Sequence, residues 1–207
     1  MREVILGMSL SLDGFVAGPD GKADWIFSGD QEAIAWKVEN LSNAGLHIMG
    51  SRSFAMAGFW PTSTLVFAPA MNRIPKAVFS KQGPAVLDIA TAALEDARAK
   101  AETGQGPALQ PGAESWAEAY VASGDLAAEV AKLKAQDGKP IFAHGGASFA
   151  RSLIAQGLID QYMLMVYPIA LGQGLPIFSD LAVPRPLRLV SSRVFPKGAV
   201  AQIYRPA

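Results

Sequence analysis

Apolar residues fall along this chain in short runs closed by glycine, proline or small polar residues, and most runs are strand-length. Glu3 to Leu10 carries Val4, Ile5, Leu6 and Met8 and breaks at Asp13-Gly14, which predicts a strand. Leu46 to Met49, Lys76 to Phe79 and Ile141 to Ala143 are shorter and predict three more. Gln161 to Ile169 is a strong apolar run of the kind a central strand shows. Leu187 to Phe195 alternates, and Ala199 to Tyr204 pairs with it across Pro196-Lys197-Gly198 as a terminal hairpin.

Helical spacing appears between these runs. Ile34, Val38 and Leu41 recur behind Ser28-Gly29-Asp30, with acidic residues in the first turn and an end near Asn43 to Gly45. Leu126, Val130 and Leu133 follow Ser123-Gly124-Asp125 in a helix reaching about Ala135, and Ala147 to Gln156 places Phe149, Leu153 and Ile154 on one face. The stretch from Pro84 to Gly124 is hardest to read. Asp88 to Ala101 is an alanine-rich helix by composition, T-G-Q-G-P-A-L-Q-P-G is a loop, and Trp116 to Val121 is a candidate strand. With no internal repeat, residues 1–207 read as one domain with a surface excursion around 84–124.

Composition narrows the class. Half of the 207 residues are hydrophobic, enough for a full core, and Lys plus Arg balances Asp plus Glu at 18 each. That balance gives no field of the kind that nucleic acid or an anionic membrane requires, so neither is an expected partner. The absence of cysteine excludes disulfides, thiolate metal sites and cysteine nucleophiles. The opening M-R-E-V-I-L-G enters a strand pattern at once, and no apolar run approaches about 20 residues; a cytoplasmic protein is expected.

Three strand ends carry chemistry. Gly145-Gly146 lies between the Ile141 strand and the Ala147 helix, where glycine permits positive φ and the helix start offers unpaired N–H groups suited to phosphate. The same pair also serves as a plain tight turn. Gly50-Ser51-Arg52-Ser53 follows the second strand, and Arg52 there either forks onto a phosphate or pairs with a surface carboxylate. Ser80 and Lys81 close the third. Ligands of open α/β sheets bind beyond the carboxyl ends of strands, so these three ends can share one crevice. The loop L-D-G-F-V-A-G-P-D-G-K-A-D-W is irregular yet apolar and covers either its own core or a ligand.

The stretches from Met8 to Gly21, His47 to Phe54, Lys76 to Lys81, Ile141 to Phe149 and Leu158 to Phe178, in that order, resemble the dihydrofolate-reductase-like superfamily. Within it the chain is similar to the bacterial group related to the C-terminal reductase domain of the riboflavin-biosynthesis bifunctional deaminase/reductase. The resemblance implies an α/β three-layer fold, a mixed central sheet flanked by helices, with a C-terminal β-hairpin and NADPH as cofactor. It implies that Gly50, Ser51, Arg52 and Ser53 meet the cofactor phosphates, and that Ser80 and Lys81 sit at the adenosine ribose with Lys81 near the 2′-phosphate. Gly145, Gly146, Ala147, Ser148 and Phe149 would hold the diphosphate, the two glycines through a cis peptide, while Val16 and Ala17 touch the nicotinamide side. Arg52 and Lys81 also supply two positive charges against the roughly two negative charges of a 2′-phosphate, which favours NADPH over NADH.

Some features depart from the resemblance. Relatives that reduce dihydropteridines carry a carboxylate on the inward face of the first helix; Ala33 aligns there, with Glu32 about 100° around the helix. Asp13, Asp24 and Glu32 remain as candidate acids, Asp13 first because it lies beside the first strand. The family's deaminase domain and its zinc ligands have no counterpart in these residues. Metal binding has no support. His47 and His144 are the only histidines, and each reads as a core or strand-end residue or, for His144, a ligand contact. Phe15, Trp25, Phe59 and Trp60 either stack on a flat heterocycle or fill a core. The expectation is an NADPH-dependent reductase of a small, pteridine- or pyrimidine-like substrate, catalytic Asp13 and Glu32, working as a homodimer paired through its C-terminal strands. A nucleotide-binding module without turnover and a flavin-using oxidoreductase are the alternatives.

Overall fold

Three of the predicted strands, those at Leu46, Lys76 and Ile141, are short and lie side by side in the middle of a sheet, where helices cover both faces and only a few residues need to cross. The computed structural model describes residues 1–27 and 29–207, so Ser28, expected near the first helix start, lies outside the described residues. The strands are β1 (Val4–Ser11), β2 (Leu46–Gly50), β3 (Lys76–Phe79), β4 (Tyr120–Ala122), β5 (Ile141–His144), β6 (Gln161–Tyr167), β7 (Leu187–Val194) and β8 (Val200–Pro206). They form one eight-stranded sheet in the order β4-β3-β2-β5-β1-β6-β8-β7. The first six run parallel, and the β7–β8 hairpin adds antiparallel to β6.

The helices are α1 (Gln31–Ser42), α2 (Ser51–Phe54), α3 (Ala68–Arg73), α4 (Asp88–Glu102), α5 (Leu126–Lys134) and α6 (Ala147–Ala155). Alternation along each strand splits the core into layers. Leu6, Ile48, Ala143 and Leu164 pack with Val130 and Leu133 of α5 and Leu153 and Ile154 of α6. Met49, Val78, Phe142 and Met163 pack on the other side with Leu41 of α1, Met71 of α3 and Ala90 of α4. Caps fix two helix starts: the carboxylates of Asp30 and Asp125 accept from Ala33 N (3.2 Å) and Ala128 N (3.0 Å). Asp30 also accepts from Lys197 N at 2.8 Å, which ties α1 to the β7–β8 turn.

The mixed sheet, the flanking helices and the C-terminal hairpin are as the sequence implies. The stretch at 84–124 differs: it is a crossover that carries α4 outside the sheet and returns as β4, parallel to β3, with Trp116 fully buried. The candidate strand at Trp116 begins only at Tyr120, because residues 113–116 form a 3-10 turn that buries the indole. The Gly145–Gly146 bond is trans, and the chain turns there through Gly146 with φ of 135°.

Close approach explains one further glycine. A Cβ on Gly7 would lie 2.1 Å from Cζ of Phe142 on the neighbouring strand, so the missing side chain is what lets that ring lie flat against β1. At the far edge, β7 is exposed along most of its length, including Leu189, Val190 and Val194.

Candidate functional site

The carboxyl ends of β2, β3 and β5 open onto one cleft of 810 Å³. Gly50 to Ser53, Ser80, Lys81 and Gly146 to Phe149 all line it, so the residues singled out at three separate strand ends come together. The side chains of Arg52 and Lys81 are exposed, and neither has a carboxylate partner among the described residues. Arg52 therefore does not serve the surface ion pair that its sequence position also allowed. Two glycines shape the floor: a Cβ on Gly50 would lie 3.2 Å from Phe149 Cβ, and one on Gly146 would lie 3.0 Å from Ser53 Oγ. The Ser53 hydroxyl donates to the carbonyl of Gly145, which joins the β2 turn to the β5 turn. Gly146 precedes α6, whose first N–H groups have no intrahelical acceptor.

Three members of the expected cofactor set do not line this cleft. Gly145 lies behind Gly146, where a Cβ would meet Met8 Sδ at 2.4 Å. Val16 and Ala17 are held as a short extended pair: Val16 N donates to Leu175 O (3.0 Å) and Leu175 N donates to Ala17 O (2.9 Å). Leu175 lines the cleft in their place. Sequence reasoning missed Arg151, on the inner side of α6, and the loop at 122–126; Arg151 Nε stands 3.4 Å from the Asp180 carboxylate. The position of Arg151 one helical turn past Ala147 was the signal available.

On the opposite face of β5 lies a second, apolar cavity of 340 Å³. Five methionines line it (Met8, Met56, Met71, Met163 and Met165) together with Trp36, Phe59, Trp60, Phe67 and Phe142. His144 closes β5 and forms part of the wall, its ring edge-on to that of His47 at 4.5 Å. Burial, with the Lys76 charge a lesser cause, pushes His144 down to about 3, and burial likewise holds His47 well below its usual range. Both imidazoles are neutral at neutral pH. The expected aromatic set divides: Phe59 and Trp60 line the cavity, whereas Trp25 packs edge-on against Tyr167 at 5.5 Å and Phe15 bridges to Pro176. The loop from Leu12 to Trp25 thus packs on the protein itself, and Ile26 and Phe27, directly after it, reach the cavity.

The candidate acids stand elsewhere. Asp13 accepts from Ser11 Oγ (2.6 Å) and from the N–H groups of Leu171 and Gly172 (3.0 and 2.7 Å). These bonds, the Ser11 hydroxyl first, bring its carboxyl down to about 2. Glu32 is paired with Arg193 of β7 at 3.1 Å, and Asp24 is exposed at the start of a 3-10 turn. None of the three lines either cavity. Proximity to β1 in sequence misled the reading, because the chain turns at Ser11 and Asp13 faces the 171–172 loop. Among the described residues no group of three or more His, Asp or Glu could hold a metal ion, and no helix is long and apolar enough to cross a membrane.

The Asp13 clamp makes stability depend on pH. A carboxyl titrating near 2 in the folded chain and near 3.9 unfolded adds stability above about pH 4 that is lost as pH falls through 2. Asp13→Asn should therefore be less stable than the wild type at pH 7, with the gap closing in acid titrations toward pH 2. A gap of constant size would remove the clamp role.

The comparisons with known proteins agree with this architecture. The uncharacterized protein YyaP of Bacillus subtilis (strain 168) is 26% identical over 209 residues, covering 98% of this chain and 94% of that one. A pyrimidine reductase-like protein of Corynebacterium diphtheriae NCTC superposes with a TM-score of 0.60 at 16% identity, covering 100% of this chain and 92% of that one. A diaminohydroxyphosphoribosylaminopyrimidine deaminase/5-amino-6-(5-phosphoribosylamino)uracil reductase of Thermotoga maritima also reaches 0.60 at 16% identity, and there this chain corresponds to 57% of the neighbour. The model of the RibD C-terminal domain matches residues 2–201, and the chain belongs to that family.

Proposed function

We propose that the protein is an NADPH-dependent reductase that holds its cofactor in the polar cleft and reduces a small pyrimidine- or pteridine-like compound in the apolar cavity. The observation that carries this reading is the convergence of the β2, β3 and β5 ends on one cleft holding two cations, Arg52 and Lys81, with no carboxylate partner among the described residues, and with the apolar cavity on the other side of the His144–Gly146 turn. The reductase names of structural neighbours in Corynebacterium and Thermotoga support it.

The residues present fit the dinucleotide. Side chains at Gly50 and Gly146 would crowd Phe149 and Ser53, so the glycines leave the backbone approachable where a diphosphate needs it. The N–H groups opening α6 would receive that diphosphate, Arg52 and Ser51 would flank it, and Lys81 with Ser80 would take the ribose that carries the 2′-phosphate. When bound, the cofactor supplies a hydride from its nicotinamide. The chain positions the two reactants and keeps water from the cavity, whose lining is almost entirely apolar. Asp13 and Glu32 act as a loop clamp and a strand–helix tie, outside proton transfer.

Titration calorimetry of the wild-type protein should show NADPH binding at least about tenfold tighter than NADH, the ratio that about 1.4 kcal/mol from one charged contact provides. Equal affinities, or none, would overturn the reading. We further propose that β7 pairs with its counterpart in a second copy. Its outer edge has no strand neighbour among the described residues, and Leu189, Val190 and Val194 are exposed beside it. Sedimentation at a dimer's rate is expected, and a monomer at every concentration would exclude the pairing.

A further inference from the structure

The apolar cavity contains one feature that core packing does not explain. Among the described residues, Lys37, in the second turn of α1, is the only cation lining it, and no carboxylate lines it. Its ammonium donates to the hydroxyl of Tyr167 at 2.9 Å and lies 5.6 and 5.8 Å from the ring centres of Tyr167 and Phe67. Tyr167 is buried at 2% exposure on β6, so the lysine is held by a fixed partner. An ammonium has three donors, and one is taken. Two other polar groups on the wall lack a partner among the described residues: the buried indole N–H of Trp60 and Nε2 of His144.

Resting on the reductase reading above, we infer that Lys37 is the catalytic cation of the apolar cavity and that the substrate is an uncharged planar heterocycle with a C=N or C=O acceptor and no phosphate. The cavity's size and its methionine and aromatic walls suit a flat ring, and methionine adapts to ring edges without a fixed shape. Low surrounding polarity strengthens the attraction between an ammonium and the electron pair of an acceptor atom. A phosphate would need several donors together, and Arg52, Lys81 and Arg151 all line the other cleft.

With a reduced nicotinamide bound to supply a hydride to the acceptor carbon, the π pair of C=N or C=O would move onto the heteroatom, and that atom would take a proton from the Lys37 ammonium. The two electrons the substrate gains would be those the bound nicotinamide supplies, and the Lys37 amine regains its proton from solvent. Tyr167 is a positioning residue, since it acts through the lysine.

Quinoxalinone serves as an uncharged planar probe with a reducible C=N bond, and uridine monophosphate as a phosphorylated comparison. Calorimetry on the wild type without cofactor should show quinoxalinone binding at least about tenfold tighter than uridine monophosphate, and Lys37→Met should lose about tenfold in quinoxalinone affinity, as expected for a hydrogen bond to a charged group. NADPH affinity should not change in that variant. Lys37→Arg keeps a donor but cannot release a proton, so probe binding should persist while kcat for NADPH-driven reduction falls at least about a hundredfold. Tyr167→Phe should keep turnover with an altered alkaline limb of its pH profile. Preference for uridine monophosphate, or reduction by Lys37→Met or Lys37→Arg at the wild-type rate, would overturn the inference. If NADPH itself fails to bind, the reductase reading falls, whereas the cofactor-free binding measurements still decide whether Lys37 recognises an uncharged ring.

Discussion

Replacing Lys81 by alanine is expected to weaken NADPH binding by about 10- to 100-fold while leaving NADH within about threefold. The magnitude is that of one charge-assisted hydrogen bond, about 1.5–3 kcal/mol, removed from a phosphate that NADH does not carry. Lys81 is exposed at the end of β3 and has no carboxylate partner among the described residues, so its loss leaves no buried charge behind and should not disturb the fold. Arg52→Ala, at the β2 end, should weaken both dinucleotides, because the proposed contact is to phosphates they share. The double variant should bind the two with nearly equal, reduced affinity. Calorimetric titrations of the four proteins against both cofactors check this; a double variant that still prefers NADPH by the wild-type factor would place the 2′-phosphate elsewhere.

Trp116→Ala should have the largest effect on stability, a loss of about 3–5 kcal/mol. The indole is fully buried between α3 and α4, packs against Phe54 at 5.7 Å between ring centres, and donates from Nε1 to Asn72 Oδ1 at 3.0 Å. Its removal would open a cavity and strand more than apolar surface. Asn72 is itself fully buried and holds the main chain of Trp60 through a 2.8 Å bond, while the Lys76 ammonium stands 4.7 Å over the indole ring. For a domain of this length the midpoint of thermal unfolding should drop by roughly 10 °C or more. Trp116→Phe should lose less, keeping most of the volume and forfeiting the bond to Asn72. A drop of under about 2 °C in the alanine variant would show that the 84–124 crossover contributes little to the core.

The polar cleft was legible in sequence because its chemistry is local. Each strand end announces itself within four or five residues, as Gly50-Ser51-Arg52-Ser53, Ser80-Lys81 and Gly145-Gly146, and parallel order places such ends on one side of a sheet. The apolar cavity was not legible for the converse reason. Its walls come from β1, α1, the 56–71 segment, β5 and β6, and in sequence its methionines look like ordinary core while Lys37 looks like the solvent side of a helix. Of its lining, Phe59, Trp60 and His144 stood out. The carboxylates misled because residue type was informative and direction was not: Asp13 is two residues past β1, yet its oxygens face Leu171 and Gly172. The 84–124 stretch read as an excursion because β4 is three residues long and its burial depends on Trp116, which no local pattern marks.

Gly7 and Phe142 occupy a single volume shared between adjacent strands, and that volume borders the apolar cavity. Neither position is then free to drift alone: a chain that acquires a methyl or larger group at 7 has to surrender the aromatic ring at 142. Such a paired exchange would move bulk from β5 to β1 and redraw the outline offered to an incoming ring, so the range of accepted compounds can be retuned from a site that bears no reactive group.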